Sequence, residues 1–271
     1  MNYLKNKHRG GINAEKGSKY EAFYVVFKVA DYLSSVLSMP QILFQSQIED
    51  AYVDDLLITN KHSNELIYHQ LKNVRDLTWT DVEDDFVNQK HQSDEAGENY
   101  KLALVFSNIQ FKKEDIPSSF NACLKSIYFP YDSSRPSIYA TIESFPSFKE
   151  ALRKLSKLPC PTDDKIYALA ECFLGHWFGS DAQTGVYLHS FREQIVLHSS
   201  ISTIFDDDIT ISESCRQILD AIEGFSYFVK GNSIIWESDR FKDNTTNWSK
   251  DWEDRIISNN PKSVNDIVKL M

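Results

Sequence analysis

Four side chains in one short stretch of this chain could work together on a phosphate ester. Asp54 and Asp55 open the apolar run Val53–Thr59, and Gln70 and Lys72 close the apolar run Leu66–Lys72. Hydrolysis of a phosphodiester needs a divalent cation to polarise the phosphate and activate a water, and a positive side chain to offset the charge that builds on phosphorus. Carboxylate, amide oxygen and lysine supply those functions, and magnesium in particular binds through one or two carboxylates while retaining water and substrate oxygens.

Position decides whether these groups can meet. The polar stretch Asn60–Glu65 between the two runs reads as a turn, so the runs are expected to pair as antiparallel strands. Gln70 and Lys72 are two residues apart and share a face. Only one of Asp54 and Asp55 can share it with them, and without a register the choice between the two stays open. Glu21, four residues after Gly17, is a further candidate that could reach the metal directly or through water, and Glu49 and Asp50 are weaker acidic candidates.

The elements around the pair follow from periodicity. After a glycine-bearing opening, Arg9-Gly10-Gly11 and Gly17, the residues Phe23, Val26, Phe27, Ala30, Leu33 and Leu37 recur at intervals of three and four and predict a helix over 20–37 closed by Pro40. Thr80-Asp81-Val82-Glu83 fits a capping box, which predicts a helix toward Lys90 followed by a loop from Gln89 to Asn99. Lys101–Phe106 reads as a buried strand and Ser147–Leu158 as a helix, which completes an α/β pattern. Pro159-Cys160-Pro161 is the strongest boundary signal, so domains are expected at 1–158 and 162–271. In the second, Asp163–Phe178 and Ser212–Glu223 read as helices, Val186–Ser200 is ambiguous, and Gly224 serves as a C-cap. Phe225–Val229 and Ile234–Trp236 form a small hairpin, giving a mostly helical region with a winged-helix-like element.

Composition narrows the class. With 42% apolar and 25% charged residues in 271, the chain falls among soluble globular proteins. It has no charge-free apolar stretch of about 18 residues and no secretory leader, so a cytoplasmic protein without membrane partners is expected. Cys123, Cys160, Cys172 and Cys215 are too widely spaced for a zinc ribbon or a disulfide framework, and Cys172 with His176 reads as core packing. A net charge of −10 argues against a broad basic nucleic-acid surface. Asp206-Asp207-Asp208 reads as an acidic loop, His62 and His69 as residues lining the hairpin, and Trp236, Phe241, Trp248 and Trp252 as a surface for a protein partner.

Taken together, Arg9-Gly10-Gly11, Gly17 with Tyr20-Glu21, Glu49-Asp50, Asp54-Asp55 and Gln70-Leu71-Lys72 resemble the double-stranded DNA endonuclease domain of bacterial anti-phage defence effectors, over residues 9–158. That group includes the CD-NTase-associated nucleases and the nuclease subunit of Lamassu-type systems. It is a branch of the PD-(D/E)xK superfamily in which Gln often replaces the Glu of the ExK motif, as in Mrr-like restriction enzymes. The resemblance implies a restriction-endonuclease-like core, a mixed central sheet flanked by helices. It also implies Mg2+- or Mn2+-dependent cleavage of double-stranded DNA, with Asp54 or Asp55, Gln70 and Glu21 toward the metal and Lys72 toward the transition state. Family members often carry Tyr-Gln where this chain has Tyr20-Glu21. The part after Pro161 does not resemble the nucleotide-sensing domain of the CD-NTase-associated members, which points to control by a partner complex with an SMC-like ATPase and an accessory subunit. Self-association in the active state is expected. The competing expectation is a non-catalytic scaffold on a degenerate nuclease fold.

Overall fold

The computed structural model describes residues 2–35, 42–156, 161–198, 211–230, 233–238 and 241–270. Leu37, Pro40, Pro159, Cys160 and Asp206–Asp208 lie outside them. The chain divides into two compact units, Met1–Ile201 and Ser202–Met271.

The first unit is built on a six-stranded mixed sheet ordered β5-β4-β3-β2-β1-β6. Its strands are β1 (Ile42–Gln45), β2 (Leu56–Asn60), β3 (Glu65–Lys72), β4 (Asn99–Phe106), β5 (Leu124–Tyr128) and β6 (Val186–Tyr187). The expected hairpin is present: β2 and β3 are antiparallel, with Leu56 opposite His69. β4 and β5 then continue the sheet in parallel with β3, Lys72 standing opposite Phe106 and Phe106 opposite Tyr128. A parallel neighbour needs a crossover, and α2 (Glu83–Ala96) supplies it between β3 and β4.

One face of the sheet is covered by α1 (Asn2–Ser35). This helix includes the glycines expected to precede it, Gly10, Gly11 and Gly17, at a cost of about 1 kcal/mol for each relative to alanine. From Tyr20 to Ala30 nearly every apolar side chain is buried, since the helix lies between the sheet and α4 (Pro146–Leu155) and α5 (Asp163–Gly179). Tyr24, Phe27, Phe129, Phe145 and Phe148 interlock by edge-on and stacked ring contacts, among them Tyr24 to Phe129 at 5.2 Å and Phe27 to Phe145 at 5.1 Å. On the other face Val53, Leu57, Tyr68, Trp79, Phe86, Leu102, Leu104 and Phe106 form a second core under α2.

Several sequence expectations are corrected here. The capping box is formed by Thr78 and Asp81 on a short 3-10 turn, not by Thr80 and Glu83. α2 continues through the expected loop to Ala96 and ends on Gly97 at φ 65. Its polar surface hides the helix from a hydrophobicity reading, while the residues it buries beyond Phe86 are Gln89 and Ser93. The unit boundary lies at 201/202 rather than at Pro159–Pro161, because α5 packs on α1 and β6 pairs with β1 at Leu43–Tyr187. Gly185 leads into β6 at φ 111, where a Cβ would stand 2.9 Å from Gln45 Cγ, so the approach requires glycine. Within the ambiguous stretch, β6 is followed by α6 (Leu188–His198).

The second unit contains α7 (Glu213–Asp220), capped by Ser212, and α8 (Lys250–Asn259), capped by Ser249. It also contains α9 (Val264–Leu270) and a three-stranded antiparallel sheet of β7 (Phe225–Lys230), β8 (Ser233–Ser238) and β9 (Phe241–Asn247). It is therefore a mixed unit rather than a mostly helical one. The third strand, FKDNTTN, is rich in residues that strands ordinarily avoid. Trp236, Trp248 and Trp252 are 4%, 8% and 5% exposed and build this unit's core, so they are not the expected partner surface. The side chain of Phe241 is outside the described set.

Candidate functional site

The expected site residues lie at one end of the large sheet, where β2 begins and β3 ends. This is also the carboxyl end of the parallel strands β3, β4 and β5, the end at which open α/β sheets bind ligands.

Asp54 and Asp55 stand just before β2 rather than within it. The loop that carries them is pinned from α2: Gln89 Oε1 accepts the backbone N–H groups of Tyr52 at 2.9 Å and Val53 at 3.2 Å. The loop also folds on itself, with Ile48 N–H donating to Asp54 O at 3.1 Å. The β2–β3 register then brings Asp55 level with Gln70, and Asp55 Oδ2 accepts from Gln70 Nε2 and from the Leu71 backbone N–H, both at 2.6 Å. Asp55 is thus the aspartate in contact with Gln70, a choice that depends on a register no sequence displays.

Glu21 faces the same group from α1. Burial, then the charges of Asp55 and Asp54, push its carboxyl up to about 7, with Lys72 opposing. Burial also raises the Asp55 carboxyl, offset by the Leu71 N–H and Lys72, while Asp54 raises it further. Two carboxylates that repel each other in a desolvated pocket favour either a shared proton or a cation between them. Gln70 is 3% exposed, and its Oε1 has no hydrogen-bond partner. A buried amide oxygen without a partner is costly to leave unsatisfied, and a cation would satisfy it. Among the described residues Lys72 closes no direct ion pair; its charge acts on both carboxylates at longer range.

A metal held here would therefore use Asp55, Glu21 and the Gln70 amide oxygen. This donor set suits a hard cation such as magnesium. Among the described residues no group of three or more His, Cys, Asp and Glu is placed to hold a metal, so the carboxylates alone do not make the site.

Other candidates lie elsewhere. Glu49 and Asp50 line a separate open cleft with Tyr52, His91, Gln92 and Glu95. His69 is fully buried on the α1 side, its ring 5.7 Å from that of Tyr24 and its Nδ1 within 3.2 Å of Leu56 O and 3.0 Å of Ile67 O. Desolvation holds it neutral, with its pKa lowered to about 3. His62 is exposed in the turn. His176 packs against Phe191 at 5.1 Å between ring centres. Arg9, Gly10 and Gly11 fall in the part of α1 where only the backbone is described.

Two contributors went unread in the sequence. Gln89 holds the aspartate loop, and Gln47, at φ 53, donates from Nε2 to Glu21 Oε2 at 3.4 Å. A single glutamine carries no periodic signal, so neither was visible without the fold.

No known protein-family profile matches the chain, and no curated protein matches it. Among solved structures, the chain is similar to the Acinetobacter baumannii Cap4 SAVED/CARF-domain containing receptor, seen in two complexes with cyclic trinucleotides. The first shows a TM-score of 0.45 and 15% identity over 66% of this chain and 45% of that one. The second shows 0.44 and 14% over 67% and 45%. The chain thus spans less than half the length of these receptors, and at this similarity none of their properties carries over to it. Among the described residues no helix is long and apolar enough to cross a membrane.

Proposed function

We propose that this chain is a magnesium-dependent DNA endonuclease acting as the effector of a bacterial anti-phage or anti-plasmid defence system. The observation that carries the reading is the buried, unpartnered Gln70 Oε1 beside Asp55, at the same sheet end as Glu21 and Lys72. This is the Asp, Gln, Lys set on which the sequence resemblance rests.

When bound, a divalent cation would polarise the scissile phosphate and lower the pKa of an attacking water. The chain's own residues do the rest. Asp55, fixed by the Leu71 N–H, presents a carboxylate whose position is set by backbone rather than by a flexible rotamer. Gln70 orients its amide against that carboxylate and leaves its oxygen for the cation. Glu21 adds a second carboxylate that takes up or gives up a proton near neutral pH. Lys72 stands by to stabilise charge on the phosphate, and its lack of a fixed ion-pair partner among the described residues leaves it available.

Manganese would substitute for magnesium in the same oxygen donor set. Restraint of the activity is assigned to a partner complex containing an SMC-like ATPase and an accessory subunit, with self-association in the active state. The net charge of −10 and the absence of a three-carboxylate cluster among the described residues favour a second reading, a non-catalytic scaffold on a nuclease-like fold. Plasmid cleavage with and without magnesium separates them, comparing wild type with Lys72→Ala, alone and with any co-purifying partner. Metal-dependent nicking that disappears in the variant supports the endonuclease; its absence in every state supports the scaffold.

A further inference from the structure

The amide of Gln70 holds the candidate site together with hydrogen bonds. Its Nε2 donates to Asp55 Oδ2 at 2.6 Å, and the same oxygen accepts the Leu71 N–H at 2.6 Å. Glu21 Oε2 accepts from Gln47 Nε2 at 3.4 Å. Neutral donors thus fix both carboxylates, and the frame needs no metal bond to keep its shape. A glutamate in place of Gln70 would set two carboxylates against each other in a buried position, a pair that requires a shared proton or a cation. The amide removes that conflict.

The same amide leaves the site short of negative charge. Asp55 Oδ2 already accepts two hydrogen bonds, so Oδ1 is the oxygen that residue has left for a cation. Gln70 adds the buried, unpartnered Oε1, which is neutral. Lys72 sets a positive charge against both carboxylates. Among the described residues no third His, Cys, Asp or Glu joins Glu21 and Asp55 in a group placed to hold a metal. Two carboxylates and an amide oxygen beside a lysine leave a divalent cation short of both donors and charge. Magnesium ordinarily meets such a shortfall with water and substrate phosphate.

Deepening the endonuclease reading, on which this inference rests, we propose that Gln70 makes cation binding conditional on substrate. The free chain holds magnesium weakly, and a DNA phosphate at the site tightens it by adding the anionic oxygen that the amide does not supply. Linkage makes the effect reciprocal, so the cation strengthens duplex binding by the same factor. A chain of net charge −10 then holds DNA through the cation rather than through a basic face.

Calorimetry on the full chain tests this with calcium as the probe, so that binding is read without cutting. Affinity is measured alone and with a saturating short duplex, after subtraction of the heat of calcium with duplex alone. Anisotropy of the labelled duplex in calcium and in chelator, at constant ionic strength, reads the reciprocal effect. Wild type should hold the ion at least tenfold more tightly with duplex than without. Gln70→Glu should tighten ion binding to the free chain about tenfold and shrink the coupling, because it adds the missing charge. Its melting temperature should fall below that of wild type in chelator and recover in calcium. Gln70→Ala lacks the amide oxygen and keeps the test decisive if the glutamate variant does not fold; it should bind the ion more weakly than wild type. If wild type cuts plasmid in magnesium but holds the ion equally with and without duplex, the proposal is overturned and the endonuclease stands. Ion affinity unchanged in both Gln70 variants overturns it as well. A wild type that neither binds duplex nor cuts plasmid removes both readings.

Discussion

Substituting Glu21 by glutamine should make the metal-free protein more stable at neutral and alkaline pH while reducing what magnesium adds. Burial and the neighbouring Asp55 and Asp54 raise the Glu21 carboxyl from 4.5 to about 7. A folded-state pKa above the unfolded one means that the native state holds the proton more tightly. The associated stability is complete below pH 4.5, is lost as pH rises toward about 7, and stays lost above it. At full weight that shift is roughly 3 kcal/mol; because the group is partly solvated, roughly 1–2 kcal/mol is expected. Glutamine carries no charge, so the variant escapes the loss and also relieves Asp55 of a repelling neighbour. At pH 8 its melting temperature should exceed that of wild type by about 2–8 °C, read on the transition of the Met1–Ile201 unit. Magnesium reverses the order, since a cation among Glu21, Asp55 and Gln70 replaces the missing proton and stabilises wild type more than the variant. The assay is differential scanning fluorimetry from pH 4.5 to 8.5, in chelator and in magnesium. Superimposable pH curves for the two proteins would refute the coupled-carboxylate argument. His69, buried and neutral, contributes a slope of the opposite sign, but it is common to both proteins and cancels in the comparison.

The same site yields three further expectations. Asp55→Ala removes the acceptor for both the Leu71 N–H and Gln70 Nε2, and should cost about 2–4 kcal/mol in urea unfolding while abolishing the rise in melting temperature with magnesium. Asp54→Ala, whose backbone rather than side chain accepts the Ile48 N–H, should cost well under half of that. Gln89→Ala leaves the Tyr52 and Val53 N–H groups without their acceptor and should cost about 2–3 kcal/mol. By loosening the loop before Asp54 and Asp55 it should also lower plasmid cleavage at least tenfold at a temperature where the variant is still folded. Unchanged cleavage there would separate the aspartate loop from catalysis.

The residues themselves determined which polar groups are available at the candidate site and much of their local frame. Two apolar runs around a polar turn could hardly do other than pair, and alternation placed Gln70 and Lys72 together on one face. The spacing of Phe23, Val26, Phe27, Ala30 and Leu33 required a helix, because only that period brings the five to one side. The C-terminal hairpin was legible for the same reason, whereas β9 was not: its Asp and Asn residues lack strand preference, and its pairing with β8 outweighs that. The tryptophans clustered near the C-terminus looked like a surface because their neighbours in sequence are charged. In the fold they meet one another, Trp248 and Trp252 at 4.8 Å between ring centres, and become core. The second half of α2 is not legible in the sequence because amphipathic periodicity is carried by apolar residues, and this helix buries Gln89 and Ser93 in the turns after Phe86.

Tertiary structure alone decided which carboxylates meet. The choice of Asp55 over Asp54 rests on the register that sets Leu56 against His69, a one-residue distinction that alternation makes absolute and that local sequence does not encode. The approach of Glu21 rests on α1 packing against β3, and the position of the aspartate loop on a glutamine 34 residues downstream of Asp55. The two-unit boundary followed the same rule. A proline pair can end a helix, but it cannot reveal that the next helix returns to bury its apolar side on α1 and that β6 returns to pair with β1. Sequence fixes which groups are available and which local shapes they prefer; contacts between distant segments, stabilised by burial that no single segment can achieve alone, determine which of those groups face each other.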